Sequence, residues 1–411
     1  MLETSKKSRP PRLMLLGPAF VAAIAYVDPG NVAANLTAGA KYGYLLVWVL
    51  VMANVIAVMI QYQSAKLGVV TGRTLPQTVA TALPGRRSRL AYWGQAEVVA
   101  AATDLAEVVG GAIALKLLFG LPLWIGGLIV GVVSMLILTL ANRQRQRHFE
   151  TVVIGLLAVI VVGFLSGLAV NPPEVGGLLN GMIPRLDGGE TVLLAASMLG
   201  ATVMPHAICL HSGLVIDRHG RSDDPNRIAT LLRSTRIDVV VALIIAGTVN
   251  IALLVLAATS LMGVEGTDTI EGAHAAVGAA LGPVVAALFA IGLLASGIAS
   301  TSVGSYAGGM IMEGLLHVRI PMVVRRSATL IPAVVILAVG VDPTWALIVS
   351  QAVLSFGIPF ALIPLRRFTG DRRRMGAYAD GRALRVGSAV AVALVVALNA
   401  ALLVLMFAGE A

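Results

Sequence analysis

Two short motifs, each built around a proline within an apolar stretch, contain the residues with the most distinctive chemistry. Residues 28–31 read Asp-Pro-Gly-Asn and offer a carboxylate and an amide oxygen. Residues 204–206 read Met-Pro-His and offer a thioether and an imidazole. Oxygen ligands bind cations in general, whereas sulfur suits the softer divalent transition metals and adds little for Mg²⁺ or Ca²⁺. Together the two motifs predict a binding site for a divalent transition-metal ion.

Both prolines lie where an open backbone would supply further ligands. Pro29 lacks an amide donor and Gly30 favours unwinding, so a helix should be interrupted there. Backbone carbonyl oxygens near Ala25 and Ala201 would then be free to bind the cation. From the residues alone two simpler interpretations stay open. The first motif is also compatible with an ordinary turn between two short helices, and Met204 with a purely packing role.

The stretches that contain these motifs are apolar enough to lie in a membrane. Of the 411 residues, 57% are apolar and only 12% are charged, and the mean hydropathy is +0.89. Soluble domains have about 25% charged residues, so this chain has too few to cover a soluble surface. The single cysteine, Cys209, excludes an intramolecular disulfide. The composition excludes a soluble enzyme, a disordered chain and a secreted disulfide-rich domain, and predicts an all-α polytopic membrane protein.

Eleven apolar segments are predicted to cross the roughly 30 Å hydrocarbon layer of a membrane. The first follows a basic N-terminal tail, residues 1–12, and has no convincing cleavage site, so it is predicted to be a permanent span. Its apolar part before Asp28 is too short to cross alone, which puts the interruption inside the membrane. The segments are 13–40, 44–69, 91–118, 122–141, 151–170, 191–215, 237–261, 277–315, 322–340, 344–365 and 385–408.

The positive charges of the chain indicate its orientation. Of the 30 Lys and Arg residues, only Lys41, Lys116 and Arg185 lie on the side opposite to the N-terminus. Lys and Arg concentrate in cytoplasmic loops, so we expect a cytoplasmic N-terminus and, after an odd number of crossings, an external C-terminus. The net charge of +9 is thereby explained by the Lys and Arg residues of the cytoplasmic segments, and no nucleic-acid partner is expected. We predict a multi-pass protein of the plasma (inner) membrane, in contact with its lipids.

The two motifs occupy matching places in an internal repeat. Residues 25–30 read Ala-Tyr-Val-Asp-Pro-Gly and residues 201–206 read Ala-Thr-Val-Met-Pro-His, so Ala, Val and Pro coincide. Each motif lies in the first span of a five-span block, residues 13–170 and 191–366, and residues 385–408 form an additional span. Because five is odd, the second block is inserted upside down. Broken helices at corresponding places of two such halves indicate a binding site at the membrane midplane.

A second group of chemically distinctive residues lies in the third apolar segment. Glu97, Asp104 and Glu107 fall within a sector of about 80° on one helix. Carboxylates are costly against lipid, so these three predict either a proton relay or a structural network with cytoplasmic arginines. His206 has two interpretations as well: a group that titrates near neutral pH, or a neutral ring that hydrogen-bonds the unwound backbone.

With these motifs the sequence resembles the Nramp family of divalent-metal transporters, in particular the bacterial proton-coupled manganese transporters of the MntH type. The resemblance runs from the first span to the eleventh. Besides the two proline motifs, it rests on residues 102–107, Ala-Thr-Asp-Leu-Ala-Glu, and residues 351–356, Gln-Ala-Val-Leu-Ser-Phe. One departure is Gly309 in the eighth span, where many relatives have Gln; it leaves the metal-binding motifs intact.

The resemblance implies a LeuT-type fold with broken first and sixth helices, and two sets of functional residues. The implied metal ligands are Asp28, Asn31, Met204 and the carbonyl of Ala201, joined in some conformations by the carbonyl of Ala25 and by Gln351. The proton pathway is predicted to use Asp104, Glu107, His206 and Glu97, together with Arg326 or Arg325.

The predicted function is proton-coupled import of Mn²⁺, and of Fe²⁺ with it, by alternating access at the paired breaks. The metal is cargo and the proton a co-substrate, so no resident cofactor is expected, and we expect the monomer to be functional. A sodium-coupled transporter of organic solutes is the main alternative, but Asp28 and Met204 argue against it. A membrane metalloenzyme or a nucleotide-driven pump is disfavoured because the sequence lacks a zinc-protease pair, a serine elbow and a phosphate-binding loop.

Overall fold

A computed structural model describes residues 17–141 and 145–408, and these residues are almost entirely helical. No β-strand occurs within these two ranges, so the prediction of an all-α protein is confirmed. The predicted cytoplasmic tail, residues 1–12, lies outside the described residues.

The α-helices are numbered here in chain order, and short 3₁₀ turns occupy Ala25–Val27 and Gly376–Tyr378. The helices of the first half are α1 (Pro18–Ile24), α2 (Pro29–Tyr42), α3 (Val47–Thr71), α4 (Leu75–Ala82), α5 (Arg86–Phe119), α6 (Leu123–Leu138), α7 (Gln146–Val170) and α8 (Val175–Gly181). The helices of the second half are α9 (Gly188–Thr202), α10 (Pro205–His219), α11 (Pro225–Ser260), α12 (Ile270–Leu281), α13 (Pro283–Leu316), α14 (Met322–Ala338), α15 (Pro343–Gly370), α16 (Arg372–Met375) and α17 (Arg382–Ala408).

Each of the eleven predicted segments contains one helix or one interrupted pair of helices. Eight spans of the described chain are long and apolar enough to cross a membrane, and Pro18–Val27 and α6 are shorter apolar helices. The main difference from the prediction lies in segment 277–315, which Gly282, with φ of 90°, divides into α12 and α13. Glycine adopts this positive φ without strain, so residues 277–281 of this segment belong to a separate helix, α12.

Both predicted interruptions are present and lie deep in the protein. Asp28 leaves the helix with φ −78° and ψ 167°, and Pro29 opens α2. Met204 is extended in the same way, with φ −85° and ψ 120°, and Pro205 opens α10. Proline is favourable at the first helical position because its missing amide hydrogen would have no partner there. Every residue from Ala25 to Val32 is buried, so the first interruption lies inside the protein and not at its surface.

The helices that surround the interruptions pack through small residues. Helix α13 packs against α5 and α7, and α11 packs against α2 and α3. At Gly110 on α5 there is no room for even a methyl group, because the ring of Pro29 occupies that space. Close approach through glycine is typical of helix packing in membranes. It brings the acidic face of α5 next to the first interruption.

Candidate functional site

Asp28 and Asn31 form a compact polar pair at the first interruption. The Asp28 Oδ1 atom accepts hydrogen bonds from the backbone amide of Asn31 at 2.9 Å and from its side-chain Nδ2 at 2.6 Å. Both side chains are buried. The carboxylate thus caps α2, and the cap fixes the direction in which the charge of Asp28 points.

Asn31 also connects the first interruption to the second. Its Nδ2 atom donates to the carbonyl oxygen of Ala201 at 3.0 Å, and the hydroxyl of Thr202 donates to its Oδ1 at 3.4 Å. Met204 follows two residues later and is fully buried. The structure therefore brings the start of α2 next to the end of α9, although Asn31 and Ala201 are 170 residues apart in the sequence.

Gln351 reaches the same place from α15. A Cβ atom built on Gly30 would overlap its Nε2 atom and would lie 3.1 Å from Oδ2 of Asp28. Ala25, in the 3₁₀ turn before Asp28, is fully buried as well. The described part of the chain contains no group of three or more His, Cys, Asp or Glu side chains that could hold a metal ion. The candidate site therefore combines one carboxylate with neutral oxygen and sulfur donors.

The unwound carbonyls next to Asp28 have partners on two other helices. The carbonyl of Tyr26 accepts a hydrogen bond from Asn250 at 2.7 Å, and that of Val27 accepts one from Ser296 at 2.5 Å. Asn250 also accepts from Asn35 at 2.9 Å, which makes it a link between helices. Ser296 was not predicted from the sequence, because serine is common in membrane helices and its type alone does not indicate a function.

The acids of α5 pair with two adjacent arginines of α14. Asp104 forms an ion pair with Arg326 and accepts a hydrogen bond from Thr301. Glu97, nearer the start of α5, pairs with Arg325 at 3.0 Å. Two ion pairs thus connect α5 to α14. The sequence left open which arginine belongs to which acid, and it gave no signal for Thr301, another hydroxyl residue in an apolar helix.

Glu107 lies between these ion pairs and the first interruption. It is completely buried, and its oxygens make no hydrogen bond of ordinary geometry within the described residues. The charges of Asp104, Asp28 and Arg326 all act on it electrostatically. A Cβ on Gly304 of α13 would lie 3.0 Å from Oε2 of Glu107, so α13 covers this carboxylate closely. Glu107 is thus close enough to both predicted sites to feel their charges.

His206 makes no hydrogen bond through either ring nitrogen to any described residue. The hydrogen bond to the unwound backbone, left open by the sequence, is thus not formed in this structure. A different histidine of α10 has polar partners near the interruption. His211 Nδ1 and Gln61 Oε1 are 2.8 Å apart, and Gln61 Nε2 donates to the Tyr26 hydroxyl at 2.8 Å. Gln61 was not predicted from the sequence, although an amide in the middle of an apolar helix is a signal that could have indicated it.

Both ends of the first interrupted helix are held by acidic side chains. At the start of α1, the backbone amides of Gly17 and Ala19 donate to the carboxylate of Asp238 at 3.0 and 2.9 Å. At the end of α2, Lys41 and Tyr42 both contact Glu190 at 2.7 Å. The buried pair and the exposed cluster fix the two halves of the helix to α11 and α9.

Residues 19–405 match the family Nramp, described as natural resistance-associated macrophage protein-like. The divalent metal cation transporter MntH of Mycobacterium tuberculosis is 57% identical over 396 residues, which are 96% of this chain and 92% of that protein. The crystal structure of the Eremococcus coleocola manganese transporter, bound to an aromatic bis-isothiourea compound, has a TM-score of 0.86 at 30% identity. That match covers 94% of this chain and 85% of the other.

A more distant structure has the same fold. Mhp1, a nucleobase-cation-symport-1 family transporter in a closed conformation, matches with a TM-score of 0.62 at 16% identity, over 95% of this chain and 91% of the other. The match indicates the fold alone. Together with the two interruptions, these structures confirm the predicted LeuT-type architecture.

Proposed function

This chain belongs to the Nramp family, and on that premise we propose that it imports Mn²⁺, and Fe²⁺ as a second substrate, together with protons. It is a transporter of divalent metal ions and not an enzyme. The identity of the metals, the coupling to protons and the mechanism of alternating access are what we propose beyond this family assignment. We place it in the plasma membrane as a functional monomer, with a cytoplasmic N-terminus and an external C-terminus.

One observation supports the metal site above all others: a buried carboxylate, that of Asp28, lies where two interrupted helices meet. Asn31 contacts both Asp28 and the Ala201 carbonyl. We propose that Asp28, Asn31, Met204 and the Ala201 carbonyl bind the ion. In some conformations the Ala25 carbonyl and Gln351 would join them. The sulfur of Met204 would favour manganese and iron over calcium, because calcium gains little from a thioether.

The acids of α5 support the proposed proton pathway. Asp28 must be ionised to bind metal, so its proton needs an acceptor nearby, and Glu107 is a completely buried acid on the neighbouring helix α5. From there the proton would pass along Asp104 with Arg326, and then along Glu97 with Arg325. His206, buried beside the second interruption, is a further candidate for this pathway.

The test is flux through the purified protein in sealed vesicles. We expect Mn²⁺ uptake without sodium, faster with an inward proton gradient, and acidification of the lumen when Mn²⁺ is added. Fe²⁺ should compete and Ca²⁺ should not. Uptake that requires sodium, or Mn²⁺ uptake unaccompanied by proton movement, would contradict the proposal.

A further inference from the structure

A basic cavity lies in the loop that connects α15 to α17. Its volume is about 600 Å³, within the range of small-molecule sites. Three arginines line it, Arg372 from α16 and Arg382 and Arg385 from the first turn of α17. The positive end of the α17 dipole therefore adds to their charge.

The charges of these arginines are largely uncompensated. No carboxylate of the described chain forms an ion pair with Arg372, Arg382 or Arg385. Arg385 donates through Nε to the carbonyl of Asp380 at 2.9 Å, a contact with a neutral oxygen. The neighbouring Arg374, by contrast, lies 3.6 Å from the carboxylate of Asp371. The arginines of the cavity thus differ from an ordinary paired surface cluster.

The acidic residue in the cavity wall does not neutralise them. The carboxylate of Asp380 is completely buried and forms an ion pair with Lys66 of α3, and Gln63 donates to it at 2.7 Å. The negative charge of Asp380 is therefore compensated by Lys66 and not by the arginines of the cavity. The same contacts hold the loop against α3, so the cavity has a fixed wall.

We propose that this cavity binds the phosphate group of an anionic phospholipid. Arginine binds phosphate through paired hydrogen bonds, and a cavity lined by three arginines that form no ion pair with a described carboxylate suits a charged head group. A lipid is favoured over a soluble phosphate because apolar surface begins next to the arginines. Val386 lines the cavity and is 58% exposed, and Val390, one turn further along α17, is 62% exposed. These valines offer a path for an acyl chain.

The site is independent of the proposed transport function, so the two can fail separately. The test uses native mass spectrometry of the purified full-length protein, with phosphatidylglycerol and phosphatidylcholine as probes. We expect the protein to retain phosphatidylglycerol at least about tenfold better than phosphatidylcholine, since each basic residue near a membrane attracts anionic lipid. The triple variant R372Q/R382Q/R385Q should lose this preference.

A matched control removes three exposed arginines of other predicted cytoplasmic segments, R86Q/R87Q/R147Q, and should keep the preference. Equal loss in both triple variants would indicate bulk charge and overturn the proposal. Displacement of the lipid by millimolar glycerol phosphate would also overturn it, because it would identify a site for soluble phosphate. If the first triple variant does not fold, the single variants R372Q and R382Q give the same readout, and full retention by both overturns the site.

Discussion

At the scale of single residues, the charge of Asp28 is the chemical centre of the proposed site. The substitution Asp28→Ala should abolish Mn²⁺ uptake, and the isosteric Asp28→Asn should do the same, because both remove the carboxylate that contacts Asn31 at the junction of the two interruptions. Uptake of ⁵⁴Mn into vesicles measures this. The exposed Asp223 provides a control, and Asp223→Ala should transport normally. Near-normal uptake by either Asp28 variant would disprove the site.

Met204 should act on selectivity more than on affinity. The substitution Met204→Ala removes the thioether, and the preference for Mn²⁺ over Ca²⁺ should fall on the order of tenfold, since the oxygen ligands that remain suit both ions. Competition of Ca²⁺ against Mn²⁺ uptake measures the change. Met52→Ala, a substitution outside the site, should leave competition unaltered. If Met204→Ala leaves it unaltered too, Met204 only packs in the core.

Asp104 should be required for proton transport and not for metal binding. We expect Asp104→Asn to reduce Mn²⁺-driven proton flux strongly while Mn²⁺ binding, measured by calorimetry, changes little. Breaking a buried ion pair costs about 3–5 kcal/mol, so the variant should also unfold more easily. Adding Arg326→Gln should recover stability without recovering flux. Equal loss of binding and flux would assign Asp104 a structural role.

At the scale of helices, the amino end of α1 depends on a distant side chain. Asp238 of α11 accepts hydrogen bonds from the backbone amides of Gly17 and Ala19. Hydrogen bonds to a charged group contribute about 1.5–3 kcal/mol each to stability. The substitution Asp238→Asn should therefore let α1 detach more often. A cysteine at the buried Ala22, in a Cys209→Ser background, should react several-fold faster with a thiol reagent. Asp342→Asn, which alters only the cap of α15, should not change that rate.

The interrupted helices were predictable from sequence, and their side-chain partners were not. Pro29 and Pro205 each lack the amide donor that a helix interior requires, so local chemistry predicted a break at these two positions. The choice between Arg325 and Arg326 depends on the rotation of α14 against α5, which is a property of packing. Ser296 and Thr301 were not predicted for a similar reason. Their hydroxyls donate to the Val27 carbonyl and to Asp104 because α13 packs beside both, and the residues next to them in the sequence do not indicate this packing.

At the scale of the whole molecule, the distribution of Lys and Arg predicts the orientation in the membrane. A cysteine at Asp268, in the loop before α12 that is predicted to be external, should react with a membrane-impermeant thiol reagent in intact cells. A cysteine at Asp223, between α10 and α11, should react only after permeabilisation. Both positions are exposed in the structure, and both variants need the Cys209→Ser background. The opposite pattern would reverse the predicted topology.

The single carboxylate at the junction of the broken helices has a consequence for energetics. A dication bound beside Asp28 keeps one uncompensated positive charge, because the other proposed donors are neutral. A membrane potential that is negative inside contributes about 2.3 kcal/mol per elementary charge for every 100 mV. The loaded site should therefore respond to voltage, and the cell's electrical potential would itself draw the metal inward. Import should become faster as the membrane is hyperpolarised, even when the proton gradient is zero.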